Sequence, residues 1–178
     1  GPGFRRNFER PEAVLGRLSG DGRPAPGTGQ QIQQPGAEKP RVRFYEGLEG
    51  LEAVRTDLLR LKELDILSVF SLDDAEQVLH QEHTEPFRKQ LLDRKAKNRY
   101  IFTSSEAPKN IPEAWEGRRV PKDLFPLHGE ITIYGDRVAM LSYKGKLIGV
   151  IIENSGLAET MKSIFELAWA ASEKYSKK

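Results

Sequence analysis

The chain contains no cysteine, which excludes disulfide bonds, a cysteine nucleophile and a thiolate-ligated metal site. A chain without cysteine suits the reducing cytoplasm, and we predict that location. No apolar run reaches the roughly 20 residues that a membrane-spanning helix needs, and the chain begins with no signal-peptide pattern. The sequence therefore predicts a cytoplasmic protein without a membrane partner.

Motifs for cofactor binding and an excess of basic charge are also missing. Neither a glycine-rich phosphate loop nor a serine-hydrolase pattern occurs, so we expect no cofactor. Residues 1–40 hold six Lys/Arg and four Asp/Glu; subtracting these from the totals of 28 and 26 leaves 22 of each in residues 41–178. Because DNA-binding domains usually carry a clear basic excess, residues 41–178 are a poor candidate for binding DNA directly.

Glycine and proline divide the chain into two parts. Eight of the 16 glycines and six of the 11 prolines lie in residues 1–40, which we predict to be a flexible tail or linker with a short helix at 4–18. Residues 41–178 then form one folded domain, long enough to bury a core. The start, Gly1-Pro2-Gly3, lacks a methionine, and we expect that residues upstream are missing from this chain.

Hydrophobic periodicity predicts an α/β fold: a mixed sheet covered by helices, ending in a β-meander and a closing helix. Asp136 follows a glycine in a two-residue turn between two strands. Thr84 is predicted to cap a helix with Pro86 in its first turn. The predicted strands are 42–45, 65–70, 99–103, 118–120, 129–134, 137–143 and 147–152, and the predicted helices are 48–61, 73–81, 85–97 and 155–175.

The closing helix has a broad apolar stripe that we assign to the core. Phe165 and Trp169 widen this stripe, and we predict that they extend to a partner subunit, since aromatic residues are enriched at interfaces. The other members, at spacings of three and four, are Leu157, Met161, Ile164, Ala168, Ala171 and Tyr175.

His128 precedes a predicted strand and is the one candidate nucleophile of the chain. Phospholipase D-like enzymes carry a His-x-Lys pair in a comparable place, where the lysine stabilises phosphate charge. Glu130 occupies that lysine position here. A carboxylate repels a phosphodiester, so we predict that the chain is not an enzyme.

Polar residues among the apolar strands are candidates for a small-molecule site. Glu130, Tyr134 and Glu153 offer the carboxylates and the aromatic face that bind sugars. Arg118 suits an anionic ligand, and His128 completes the set of candidate ligand-binding residues. The alternatives are that these strand positions face water and that Arg118 pairs with a nearby glutamate. The pair His80 and His83 has a spacing that suits a metal ion, but no full ligand set accompanies it, and we predict no metal site.

Four segments carry a resemblance to a known family: Arg41–Gly47 followed by Glu49-Gly50, then 133–139, 149–153 and 164–169. Together they resemble the C-terminal effector domain of TrmB-like transcriptional regulators. This resemblance implies a phospholipase D-like fold, a homodimer and a sugar or other small-molecule effector. In that family, DNA is bound through an N-terminal winged-helix domain, which we expect to lie outside this chain.

We therefore interpret the chain as a non-catalytic, ligand-sensing and dimerisation domain of a TrmB-like transcriptional regulator. Two alternatives stay open. One is a phospholipase D-like phosphodiesterase or nuclease that uses His128 across a dimer interface. The other is a purely structural oligomerisation module that binds no ligand.

Overall fold

A computed structural model describes residues 40–79, 81–108 and 111–176, which belong to one compact unit, Glu38–Lys178. The predicted tail and short helix, as well as His80 and the side chain of His83, lie outside what is described. In the described part, no helix is both long and apolar enough to cross a membrane.

Seven strands and four helices make up the described residues. In chain order they are β1 (Arg41–Glu46), α1 (Leu48–Leu59), β2 (Asp65–Ser71), α2 (Leu72–Val78), α3 (Gln81–Asp93), β3 (Lys97–Thr103), β4 (Trp115–Arg119), β5 (Gly129–Tyr134), β6 (Arg137–Ser142), β7 (Ile148–Glu153) and α4 (Ser155–Ser176).

The strands form a single mixed sheet in the order β1-β7-β6-β5-β2-β3-β4. β2, β3 and β4 are parallel, because α2 and α3 return the chain to the same edge of the sheet between β2 and β3. β5, β6 and β7 form the predicted antiparallel meander, and β1 pairs antiparallel with β7. The mixed α/β sheet with a closing helix is thus confirmed. The β5–β6 turn uses Gly135 with a φ of 55°, which suits a tight hairpin.

Helices cover both faces of the sheet. On the first face, which we call the α1 face, buried apolar residues of β2, β5, β6 and β7 pack against α1 and α3. On the opposite α4 face, Leu67, Ile101 and Ile133 pack against Phe165 of α4. Because successive strand residues point to opposite faces, each of the inner strands contributes to both cores.

Two boundaries of α3 differ from the sequence prediction. The helix begins at Gln81, so Pro86 lies inside it rather than in its first turn, and Thr84 is not its cap. One helical hydrogen bond is lost at Pro86; packing of Phe87 and Leu91 against the core outweighs that loss. The helix ends at Asp93, and residues 94–97 that we assigned to it form its C-cap and the start of β3.

The C-cap of α3 has the geometry of a Schellman motif. Lys95 has a left-handed φ of 55°, and the N–H groups of Lys95 and Ala96 donate to the carbonyls of Leu92 and Leu91 at 2.9 Å. These two bonds satisfy carbonyls that a helix end would otherwise leave without partners.

The buried stripe of α4 is rotated relative to our prediction. Ala158, Phe165 and Ser172, at spacings of seven, are at most 3% exposed. Leu157 and Ile164, which the periodicity assigned to the core, are 49% and 50% exposed. At about 100° per residue, Leu157 and Ile164 lie roughly 80–100° around the helix from Phe165, on the flank of the side that faces the sheet.

Candidate functional site

Polar side chains gather where the parallel strands β2, β3 and β4 end, the edge at which open α/β sheets usually bind ligands. β2 ends at the buried Ser71, whose hydroxyl accepts a hydrogen bond of 3.2 Å from the backbone N–H of Asp74 and so caps α2. Asp73 and Asp74 therefore lie in the first turn of α2, where the helix dipole favours carboxylates.

Asp73 ties the ends of all three parallel strands together. Its carboxylate accepts hydrogen bonds from the N–H of Ser105 at 2.9 Å and from the Ser105 hydroxyl at 2.7 Å. Lys122, which follows β4, lies 2.6 Å from the Ser105 hydroxyl and 3.4 Å from Asp73. The hydrogen bonds from Ser105, first the backbone one, hold the pKa of Asp73 below its usual value. The Lys122 ammonium is thus already paired with a carboxylate.

His128 lies beside this cluster, just before β5. Its side chain is 55% exposed, and its Nδ1 is 3.2 Å from a carboxylate oxygen of Asp74. A carboxylate in this position can orient an imidazole for general-base or nucleophilic work. Catalysis on a phosphodiester would also need a cation next to the imidazole.

Glu130, the residue in the expected lysine position, is held by its neighbours. One carboxylate oxygen accepts a hydrogen bond from Thr132, and the other accepts one from the Tyr143 hydroxyl. Burial, followed by the charge of Glu130, raises the pKa of Tyr143. The guanidinium of Arg55 is close enough for the Glu130 charge to act on it. Both oxygens of Glu130 are therefore engaged, and the carboxylate is part of the packed structure.

Tyr134 and Glu153, two further predicted ligand residues, lie at the other end of the sheet. Tyr134 is four residues beyond Glu130 on β5, about 13 Å along the strand. It is fully buried, and its hydroxyl donates to Asp57 at 3.1 Å. Glu153 accepts a hydrogen bond of 3.2 Å from Arg137. The structure thus separates the predicted ligand residues into two groups.

Asp57 of α1 is the centre of this second group and is not among the site residues predicted from the sequence. The side chain is 5% exposed and accepts a hydrogen bond of 2.8 Å from Arg43, while the Nε of Arg137 lies at 3.4 Å. The hydrogen bond to Asp57 raises the pKa of Arg43, and burial, followed by the charge of Asp57, raises the pKa of Tyr134. The signal that could have revealed Asp57 is a charged residue beside the apolar positions of α1, next to an arginine-rich strand.

A shallow depression of about 230 Å³ opens beside this network, between β1 and α1. Its lining combines an aromatic ring, two guanidinium groups, two carboxylates and a hydroxyl, supplied by Tyr45, Arg43, Arg60, Glu52, Asp57 and Thr56. Such a set can hydrogen-bond several hydroxyl groups of a polar ligand.

Arg118 and the predicted interface aromatics are on the α4 face, away from both groups. The guanidinium of Arg118 lies 4.0 Å from the centroid of the Trp169 ring and donates to the Trp169 carbonyl. Trp169 stacks on Phe165 at 5.6 Å, and Phe165 is 2% exposed. The structure therefore places Phe165 in the core and uses Arg118 to fasten α4 to β4.

Among the described residues, no three histidine or acidic side chains converge as metal ligands would. No protein-family model and no curated protein sequence matches the chain.

Solved structures share its fold. TrmBL2, an archaeal chromatin protein that shows a novel mode of DNA binding, is 21% identical with a TM-score of 0.55; the match covers 80% of this chain and 56% of TrmBL2. NucT from Helicobacter pylori is 8% identical with a TM-score of 0.55, over 72% of this chain and 94% of NucT. Nuc from Salmonella typhimurium, a phospholipase D family member, is 14% identical with a TM-score of 0.52, over 74% of this chain and 95% of Nuc.

The match to TrmBL2 accounts for only about half of that protein's length, whereas the matches to Nuc and NucT account for nearly all of theirs. At these identities the likeness is one of fold. The described domain has the phospholipase D-like fold, in the form that it shares with a TrmB-like protein.

Proposed function

We propose that this domain is the non-catalytic effector-sensing and dimerisation part of a TrmB-like transcriptional regulator. The observation that carries the proposal is the set of charges around His128. Asp74 is in contact with the imidazole, Glu130 replaces the expected lysine, and Lys122 is paired with Asp73.

Electrostatics argue against phosphodiester chemistry at this edge. A phosphate oxygen about 4 Å from a carboxylate is repelled by on the order of 4 kcal/mol at the effective dielectric of a protein surface. Asp74 is in contact with His128, so a phosphate that approaches the imidazole comes close to this carboxylate, and Glu130 adds a second negative charge two residues further along the chain. Removing a single group that stabilises transition-state charge already slows comparable enzymes by roughly 100- to 1000-fold.

The depression between β1 and α1 is the better candidate for an effector site. Its polar groups can form several hydrogen bonds with a sugar, and Tyr45 supplies an aromatic surface. Glu52 offers a carboxylate to sugar hydroxyls, while Arg43 and Arg60 also suit a phosphorylated sugar. We infer that a sugar or sugar phosphate binds there.

Regulation would follow from a change in how two protomers associate. Such a change requires that the effector bind one arrangement more tightly than the other. DNA would be contacted by a winged-helix domain outside this chain. The fold shared with TrmBL2, a DNA-binding chromatin protein, supports this assignment.

Isothermal titration calorimetry against a panel of sugars and sugar phosphates tests the effector site. A binding sugar should lose at least tenfold in affinity in Glu52→Gln, whereas Glu76→Gln, in α2, should bind as the parent chain does. Flat titrations for the whole panel, with a dimeric chain, would favour the purely structural oligomerisation module.

The shared fold with a phospholipase D family member, together with the His128–Asp74 contact, favours one second candidate, a phosphodiesterase. Turnover of an aryl phosphodiester by the parent chain and by His128→Ala separates the two functions. We expect no difference between them above background. Hydrolysis at enzymatic rates that disappears in His128→Ala would refute the sensor proposal.

A further inference from the structure

The α4 face of the sheet is covered unevenly. α4 packs mainly on β4, β5 and β6. The two remaining strands on that side, β7 and β1, continue the sheet beyond the helix, and β1 is an edge strand. Two apolar side chains of β1, Val42 and Phe44, are 66% and 57% exposed.

The strand register shows that these side chains continue a row from the core. Val69, Ile131, Met140, Val150 and Phe44 are successive cross-strand partners from β2 to β1. Direct partners in a sheet lie on the same face, so the whole row is on the α4 face. Val69 and Ile131 are partly buried beside Phe165 of α4, whereas Met140 is 38% exposed and Phe44 is 57% exposed.

One flank of α4 extends this apolar surface. The opposite flank is charged: Lys162 donates to the carbonyl of Gly135 in the β5–β6 turn, and Glu166 pairs with Arg99. Leu157 and Ile164 lie on the other side of the helix by their angular positions and are half exposed. That flank points away from the β5–β6 turn, toward the end of β6 that holds Met140.

Together these side chains form what we call the α4–β1 patch, defined by Val42, Phe44, Met140, Leu157 and Ile164. Each exposes about half of a surface on the order of 150–200 Å², so the five expose on the order of 450 Å². That area lies within the roughly 300–600 Å² of the largest, often functional, patches of monomeric proteins. Ile148, Val150 and Ile152 of β7 are partly exposed on the same face and bring the total to about 550–600 Å², near the lower limit of about 600 Å² per partner for a specific interface.

The patch presents no charge that would repel a second copy of itself. All five residues that define it are uncharged. At its rim, Glu46 of β1 is neutralised by Lys146 at 2.8 Å. A surface that is apolar at its centre and charge-paired at its rim matches a second copy of itself across a two-fold axis.

We propose that two copies of this chain associate through the α4–β1 patch. This inference rests on the dimerisation part of the proposed function and adds the surface that performs it. In an isologous dimer each patch residue occurs twice, so one substitution alters the interface in two places.

Sedimentation equilibrium of the full chain tests the assignment. Ile164→Glu and Phe44→Glu should each weaken self-association by at least about a hundredfold, roughly tenfold for each copy of the buried charge. Leu92→Glu is the matched control. It changes a 38% exposed leucine of α3, on the opposite face of the sheet, and should leave association as in the parent chain. Circular dichroism and thermal unfolding at low concentration check that all three variants fold.

The possible outcomes distinguish failure of the α4–β1 patch as the interface from failure of the proposed dimerisation. A dimeric parent chain whose Ile164→Glu and Phe44→Glu variants stay dimeric would overturn the patch but leave dimerisation standing. A parent chain that is monomeric would overturn both the patch and dimerisation, while sugar binding would still be decided by calorimetry.

Discussion

Replacing Asp57 by asparagine should destabilise the domain by breaking a buried ion pair. The side chain is 5% exposed and is the common partner of three groups. Arg43 donates to it at 2.8 Å, Tyr134 donates at 3.1 Å, and the Nε of Arg137 lies 3.4 Å away. Asparagine keeps the volume but removes the negative charge that balances two guanidinium groups.

The magnitude follows from the exposure of the partners. Breaking a fully buried ion pair by removing one charge costs about 3–5 kcal/mol. Arg43 is 33% exposed and Arg137 is 18% exposed, so water and Glu153 compensate part of the loss. We therefore expect Asp57→Asn to lower the free energy of unfolding by about 2–3 kcal/mol. For a domain of this size, that corresponds to a drop of about 6–12 °C in Tm.

Urea unfolding, followed by tryptophan fluorescence and circular dichroism, measures this change. Two further variants measure how much of the lost stability comes from individual neighbours of Asp57. Tyr134→Phe removes one hydroxyl donor and should cost about 1 kcal/mol. Glu153→Gln changes a side chain that is 21% exposed and should cost less than Asp57→Asn. A loss below about 0.5 kcal/mol for Asp57→Asn would refute the view that this carboxylate holds β1, α1 and β6 together.

Two further predictions concern the edge that carries His128. The folded-state pKa of Asp73 lies below its usual 3.8, so the stabilisation that it provides is complete above about pH 4 and is lost as the pH falls through the folded-state value. At pH 7, Asp73→Asn should therefore unfold at a lower urea concentration than the parent chain, with a loss in free energy of unfolding of about 0.5–1 kcal/mol, because the side chain is 30% exposed. The urea midpoints of the two chains should converge below pH 4. A difference at pH 3 as large as that at pH 7 would contradict the assignment. Gly129→Ala would place a Cβ 2.4 Å from the backbone carbonyl oxygen of Leu141. The substitution should therefore lower the free energy of unfolding by about 1–3 kcal/mol, measured by urea unfolding. A variant as stable as the parent chain would argue against the pairing of β5 with β6.

Much of the fold could be predicted from local patterns. The Gly135-Asp136 pair correctly predicts the turn of the β5–β6 hairpin, and a run that is apolar on both faces correctly predicts β2. The predicted boundaries of α3 are wrong because proline and charge signals are local, whereas the packing of Phe87 and Leu91 on the core stabilises the helix around Pro86. Local propensity is overridden where tertiary packing contributes more free energy.

The candidate site was less predictable, since it depends on long-range pairing. Glu130 and Glu153 read alike in sequence, as acids at the ends of apolar strands, yet the fold places them at opposite ends of the sheet with different partners. The role of Asp57 depends on an arginine 14 residues earlier and a tyrosine 77 residues later. Periodicity within one helix contains no information on such contacts.

β1 connects the proposed effector site with the proposed dimer surface. Alternation along this strand turns Arg43 toward the depression beside α1, and turns Phe44, the next residue, toward the α4–β1 patch. A ligand that draws Arg43 away from Asp57 would shift β1 and hence the patch. By linkage, self-association must then change effector affinity by the same factor as the effector changes self-association. An effector that binds the depression without altering sedimentation would show that the strand does not transmit this coupling.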